Sequence, residues 1–409
     1  LLEDSGAQWL VSDQPRGDSA LSIADQSVGA VHLNGAGRIP AQVSKITYTS
    51  GTTGQPKGVM LRGTALMNVA TSLAGAARLT PNDTHAALMP LAVLLETIGG
   101  LYAPLLAGAS IWLPDLGEAG LSGAAGVNGD AVATTLCAPS PLGQPTTTIL
   151  LPMVLQALST SLDAHAPHAA GRPVFAGQLR FAALGGASVS PDLIARARTQ
   201  GLPVYEGYGL SECSSVLTLN RPGADRPGSV GKALPHVELR IAGDGEVWAR
   251  GAAFEGYLHD HDGGWHRPDN DGWWPTGDLG ELDDDGFLTL RGRKRNVFIT
   301  ALGRNVNPEW VERELTGSGL IRQAVVFGEA RPFNAAVLVA DADGLAIQGA
   351  IDAANARLPD YARIRHWIPA NEPFSPANGL GTATGRPRRE AIAARYQEPL
   401  SRLYESHTP

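Results

Sequence analysis

The sequence predicts an α/β fold followed by a smaller α+β part. Three observations carry this. Strand-like and helix-like apolar patterns alternate through the first two-thirds of the chain, as in sheets covered by helices. The 49 glycines and 29 prolines demand many tight turns between short elements. After Arg293 the pattern becomes strand, helix, two strands, helix, strand and a final helix from about Pro387. The boundary is therefore placed near Lys294, dividing the chain into residues 1–293 and 294–409.

Each element follows from its local pattern. Lys45 to Tyr48 alternates like a strand, Arg62 to Ala77 reads as a helix, and His85 to Leu88 as a strand. Leu94 to Leu106 is an apolar helix closed by Gly108, and Ser110 to Leu113 a short strand. Ala119 to Ala133 reads as a Gly/Ala-rich loop, Thr148 to Leu162 as a helix after a threonine cluster, and Leu179 to Leu184 as a buried strand. Ser190 and Pro191 supply an N-cap and first position for a helix that Gly201 closes. Val237 to Ile241 and Glu246 to Arg250 form a hairpin around Gly243, Asp244 and Gly245.

Bulk properties exclude several classes. A chain of 409 residues that is 43% hydrophobic can bury a large core. A net charge of −8 and a pI near 5.7 argue against a nucleic-acid binder. Cys137 and Cys213 make no disulfide framework, no apolar run reaches membrane-spanning length, and no signal peptide heads the chain, so a cytoplasmic protein is expected.

The chemistry begins at TSGTTGQPKGVM, Thr49 to Met60. Gly51 and Gly54 let a backbone fold its N–H groups around an anion, since no Cβ blocks the approach. The hydroxyls of Thr49, Ser50, Thr52 and Thr53 add donors, and Lys57 adds a mobile positive charge. That combination suits a triphosphate. Pro56 stands where a Walker A loop would need its second glycine, so this is a different loop. An ordinary Ser/Thr/Gly surface turn is the competing reading.

Three further segments follow in order: LGGASVS from Leu184, YEGYGLSECS from Tyr205, and WWPTGDLGELDDDGFLTLRGRKRN from Trp273. With the glycine loop they resemble the adenylate-forming superfamily of acyl-CoA synthetases, peptide-synthetase adenylation domains and luciferases. The resemblance covers most of the chain. It implies a large multi-sheet core domain and a small mobile C-terminal lid. It also implies that the first part of the large domain is missing, because the chain begins at Leu1 where relatives carry a substantial region. Gly185, Gly186 and Ala187 would then line the adenine face, although a plain strand-to-helix turn explains them equally. Tyr208 would stack on adenine with Gly209 beside it, Ser211 would bind a phosphate oxygen, and Glu212 would ligate Mg²⁺. A hard cation bridging carboxylate and phosphate is sensible chemistry. Asp278 would accept both ribose hydroxyls, Arg293 would add a second ribose contact, and the hinge would lie between Lys294 and Asn296.

In ITALGRNVNPEWVE, Ile299 to Glu312, the resemblance implies the lid segment used in thioester formation, with Gly303 leaving room for the pantetheine arm of coenzyme A. Asn307 and Pro308 also read as a helix start. The family's final lysine is replaced by Arg386, and arginine is larger, planar and forked. Arg386 could still stabilise developing phosphate charge, or mark slow or lost adenylation. MPLAVLLE, Met89 to Glu96, resembles the family's acyl-pocket motif, with Val93 in its histidine position. Leu91, Val93, Leu94 and Leu95 point to an apolar acid such as a fatty acid, or are simply core. Asp283, Asp285 and Gly286 read as a hairpin turn, and the His/Asp-rich stretch from Tyr257 to Asp271 as a surface loop rather than a zinc site. The expected activity is ligation of an apolar carboxylic acid to CoA, using ATP and Mg²⁺. The alternatives are an acyl-AMP ligase loading the phosphopantetheine of an acyl-carrier protein, or a non-catalytic nucleotide- or acyl-binding paralogue.

Overall fold

The computed structural model describes residues 9–12, 19–23, 26–32, 39–49, 57–121, 127–165, 175–258, 268–269, 271–382 and 385–407. Strands β1 (Trp9–Ser12), β2 (Ser19–Ile23) and β3 (Gln26–His32) form an antiparallel sheet ordered β1-β3-β2. Strands β4 (Val43–Thr49) and β5 (Lys57–Arg62) pair antiparallel and lead into helix α1 (Gly63–Ala76).

A seven-stranded sheet forms the centre. It contains β6 (Thr84–Ala86), β7 (Ser110–Trp112), β8 (Thr147–Leu150), β9 (Phe181–Leu184), β10 (Val204–Tyr208), β11 (Thr218–Leu219) and β12 (Lys232–Ala233), ordered β12-β11-β10-β9-β8-β6-β7. The run from β7 to β10 is parallel, and β11 and β12 add antiparallel at one side. Parallel strands are buried on both faces, which is why their sequences are nearly all apolar or β-branched. In β9, Phe181 enters one core with Leu66 and Leu73 of α1, whereas Ala182 and Leu184 enter the other. That second core is covered by helices α3 (Gly129–Cys137), α4 (Pro152–His165) and α5 (Pro191–Thr199). Helix α5 starts as predicted: Ser190 Oγ accepts from Asp192 N at 3.1 Å, and Pro191 takes the first position.

Three local expectations change. Thr147–Leu150 is a strand, and the helix begins only at Pro152, because two threonines and an isoleucine suit a buried sheet position. The stretch read as a loop holds α3, whose cap Asn128 accepts from Asp130 N and Ala131 N. The single helix expected at Leu94 is α2 in three pieces: Leu94–Glu96, a π-helical Thr97–Tyr102, and Ala103–Ala107 ending at a left-handed Gly108.

A second antiparallel sheet, β13 (Glu238–Ile241), β14 (Glu246–Arg250), β16 (Trp274–Leu282) and β17 (Leu288–Arg293), packs beside the first. Between β14 and β16 the chain crosses to β5, where β15 (Gly256–Tyr257) adds a third strand. The Asp283–Gly286 turn joins β16 to β17, and Arg226 bridges the carboxylates of Asp283 and Asp285.

Beyond β17 stands a separate C-terminal domain. A hairpin of β18 (Phe298–Ile299) and β19 (Asn305–Val306) precedes helix α6 (Pro308–Thr316), which Asn307 caps. The sheet of β20 (Ile321–Phe327), β21 (Asn334–Ala340) and β22 (Ile364–Pro369) is covered on one face by α6 and α7 (Gly344–Asn355). Helices α8 (Arg389–Arg395) and α9 (Gln397–His407) cover the other. Alternation along β21 serves both faces: Ala336 and Leu338 point one way, Val337 and Val339 the other. No helix among the described residues is long and apolar enough to cross a membrane.

Candidate active site

Strands β8, β9 and β10 end along one edge of the central sheet, at Leu150, Leu184 and Tyr208. The crevice outside the carboxyl ends of parallel strands is where such sheets bind ligands. Here Gly185, Gly186 and Ala187 leave β9, and Gly209, Ser211 and Glu212 leave β10, all lining one cleft.

On the far wall, β16 and β17 place Asp278 directly opposite Arg293, and Arg293 Nε lies 2.8 Å from Asp278 Oδ1. The other carboxylate oxygen accepts from Tyr208 Oη at 2.6 Å. Asp278 is only 5% exposed. Burial pushes its carboxyl above the usual range, against the pull of Arg293, Tyr208 and Arg386. The Tyr208 hydroxyl is likewise raised, by burial and then by the neighbouring carboxylate, and so stays a donor.

The C-terminal domain closes the cleft. Arg386 Nε donates to the Gly186 carbonyl at 2.5 Å, and Gly385 lies against Met153 at the start of α4. Thr382 Oγ1 accepts from Arg386 N at 3.0 Å, which fixes the loop carrying the guanidinium. Arg293 and Arg386 thus face one crevice, close enough that their charges repel. Lys294, next in the chain after Arg293, is held to Asp244 at 2.6 Å and Glu246 at 2.8 Å.

Another wall of the cleft is assembled from β4, β5 and the turn after β10. Thr49 and Lys57 are opposed in the β4–β5 ladder. Ser50, Gly51, Thr52, Thr53 and Gly54 lie outside the described residues, as do His259, Asp260, His261, Asp262 and His266. Glu212 Oε1 accepts from Tyr257 Oη at 2.8 Å, and the Lys57 ammonium stands 5.4 Å over the Tyr257 ring. Asp269 accepts from Asp271 N and Trp273 N, a turn role.

Val93, Leu94 and Leu95 line the cleft, and Leu95 reaches Gly185; Leu91 does not line it. Gly303 sits at the β18–β19 turn with φ +72° and open space around it, so its backbone angle alone favours glycine here. Three residues were not singled out from sequence. Glu206, between the two tyrosines of β10, lines the cleft with its carboxyl pushed up to about 8 by burial, opposed by Arg313 and Arg198. Tyr257 was legible only as the first residue of the His/Asp-rich stretch. His85 pairs with Glu96 at 3.0 Å beneath the π turn of α2, a contact between strand and helix that no local pattern displays.

The sequence profile of the AMP-binding enzyme family matches residues 10–259. The chain belongs to that family. The AMP-binding enzyme C-terminal domain matches residues 295–408. Among its relatives, the long-chain-fatty-acid–CoA ligase FadD15 of Mycobacterium bovis is 34% identical over 260 residues, 57% of this chain and 43% of that ligase. The match therefore spans less than half of that relative's length. Fatty acyl-CoA synthetase A of Dictyostelium discoideum is 26% identical over 456 aligned positions, 90% of this chain and 65% of that protein. Among solved structures, the anthranilate CoA ligase AuaEII in complex with anthranoyl-AMP superposes with a TM-score of 0.72 at 23% identity, over 90% of this chain and 69% of that one. The AMP-binding fold is therefore shared well beyond sequence similarity.

Proposed function

We propose that the chain is an AMP-forming acid–thiol ligase that activates an apolar carboxylic acid, most simply a fatty acid, and transfers it to coenzyme A. The observation that carries this is the meeting of Asp278, Arg293 and Tyr208 of the large domain with Arg386 of the C-terminal domain in one crevice. The relatives named as fatty-acid ligases support the substrate class.

In this reading Asp278 accepts the two ribose hydroxyls, a bidentate role for which its carboxylate is held by Arg293. Tyr208, Gly185, Gly186 and Ala187 form the walls for adenine, with Gly209 beside them. Thr49 and Lys57, with the loop between them, hold the β- and γ-phosphates, and Ser211 a phosphate oxygen. A carboxylate oxygen of the acid attacks the α-phosphorus, the bond to pyrophosphate breaks, and acyl-AMP forms. A thiol sulfur then attacks the acyl carbon and AMP leaves. Arg386 supplies positive charge where it develops on the α-phosphate; positioning and electrostatics do most of the work. Glu212 fits Mg²⁺, being a carboxylate at the phosphate end with one oxygen engaged by a neutral hydroxyl. Bound there, the ion would neutralise phosphate charge. Gly303 would admit the pantetheine arm once the C-terminal domain turns about Lys294 to Asn296.

The test is pyrophosphate release from ATP and Mg²⁺ with fatty, aryl and amino acids, with and without CoA, for the wild type, Arg386→Lys and Arg386→Ala. Release with fatty acids, and thioester only when CoA is added, is the expected result. Arg386→Ala should lower kcat on the order of 100-fold with little change in the KM for ATP. Activity confined to Arg386→Lys would mark a paralogue that has lost adenylation. Thioester formed only on a carrier protein would replace CoA as acceptor, and silence from all variants would sink the ligase reading.

A further inference from the structure

The segment after β14 ties the two halves of the phosphate end together. Its β15 pairs with β5, setting Tyr257 opposite Val59, and Leu258 N donates to Gly58 O at 2.7 Å. Three residues earlier, Phe254 N donates to the Glu212 carbonyl at 2.8 Å. Phe254 packs edge-on between Tyr257 and Trp274, at 4.8 Å from each ring. Such aromatic contacts give a buried ring a defined orientation. Tyr257 is thus braced from behind and tethered at its backbone.

Two of its polar relations are of opposite kind. The hydroxyl donates to Glu212 Oε1 at 2.8 Å, and the ring face receives the Lys57 ammonium at 5.4 Å. One phenol therefore has both an anionic and a cationic group of the site against it. Engaging Oε1 leaves Oε2 as the carboxylate oxygen available to a cation. It also restricts the rotation of a side chain that would otherwise be mobile. Partners of a metal-binding carboxylate commonly orient it in this way.

We infer that Tyr257 is a positioning residue that presents Glu212 to the divalent cation of a metal–nucleotide complex. This rests on the ligase reading above and names a residue which that reading does not use. In this role the hydroxyl acts through Glu212.

The test is binding of Mn²⁺–ATP without acid substrate, followed by electron paramagnetic resonance of Mn²⁺ and by calorimetry. Metal-free AMP is the control ligand. Tyr257→Phe keeps the ring and its brace and removes only the hydroxyl. It should weaken Mn²⁺–ATP binding on the order of 10-fold while leaving AMP binding at the wild-type value. In a Glu212→Gln background, adding Tyr257→Phe should change binding by less than about 2-fold, since the hydroxyl has lost the charge it orients. Wild-type Mn²⁺–ATP affinity in Tyr257→Phe, or an equal loss for AMP, would overturn the inference and leave the ligase reading intact. Failure of the wild-type protein itself to bind Mn²⁺–ATP would bring down both. A melting temperature of Tyr257→Phe close to wild type secures the comparison.

Discussion

Glu206 is 8% exposed, and burial pushes its carboxyl from the usual 4.5 up to about 8, with Arg313 and Arg198 opposing. Its folded-state value is raised, so between about pH 4.5 and 8 the native protein holds a proton that the unfolded chain has released. This contribution to stability is complete below the unfolded value and is lost as pH rises through the folded one. Urea midpoints measured from about pH 5 to about pH 8 should therefore fall, with a slope from this group of at most about 1.4 kcal/mol per pH unit. Glu206→Gln, uncharged throughout, should flatten that slope; an unchanged slope would mean Glu206 is ionised in the native protein. Asp278 shares the same direction for the same reason, but its partner Arg293 sits on the opposing strand. The motif made both residues legible in the sequence. Their bond depends on the β16–β17 register and could not be read from spacing.

Helix α2 shows what apolar periodicity captures and what it leaves out. The run from Leu94 and its stop at Gly108 were both visible, whereas the extra residue per turn was not, because one π turn barely disturbs the apolar stripe. The packing there is close: a Cβ on Gly100 would lie 1.9 Å from Glu96 Oε1 and 2.8 Å from His85 Nε2. Gly100→Ala should therefore cost about 2 kcal/mol or more in thermal unfolding, by overpacking the His85–Glu96 pair. Gly75, late in α1, has nothing within 4 Å of the same position. Gly75→Ala should be neutral or stabilise by about 0.5–1 kcal/mol, so the pair of melting curves separates steric demand from helix propensity. Thr147–Leu150 failed in the other direction. A four-residue buried strand is too short for its period to be told from a helix start, and only its place between β6 and β9 decides.

At the scale of the molecule, the contact that closes the cleft joins Arg386 to Gly186, 200 residues apart. The motifs named both residues, but only folding brings them together. Several polar atoms near this junction are buried without a hydrogen-bond partner among the described residues, including Asn307 Nδ2, Glu309 Oε2 and Arg313 Nε of α6 and its cap. A Cβ on Gly385 would lie 3.8 Å from the Cβ of Met153, the spacing of a disulfide. The double variant Met153→Cys, Gly385→Cys should therefore cross-link on oxidation. Once cross-linked, it should still release pyrophosphate in a single turnover but form no thioester until reduced. Thioester formation at the wild-type rate in the oxidised protein would show that this orientation serves both steps. In the function proposed above, Arg293 belongs to the nucleoside wall, and the next residue, Lys294, is pinned to Asp244 and Glu246 just before the C-terminal domain. A turn of that domain would therefore begin beside Arg293, the partner of Asp278. If the C-terminal domain turns there as proposed, filling the wall and turning the domain become one equilibrium viewed from two ends: a ligand that tightens the Asp278–Arg293 bond would bias the orientation, and whatever holds the orientation would alter, by the same factor, the grip on the ligand.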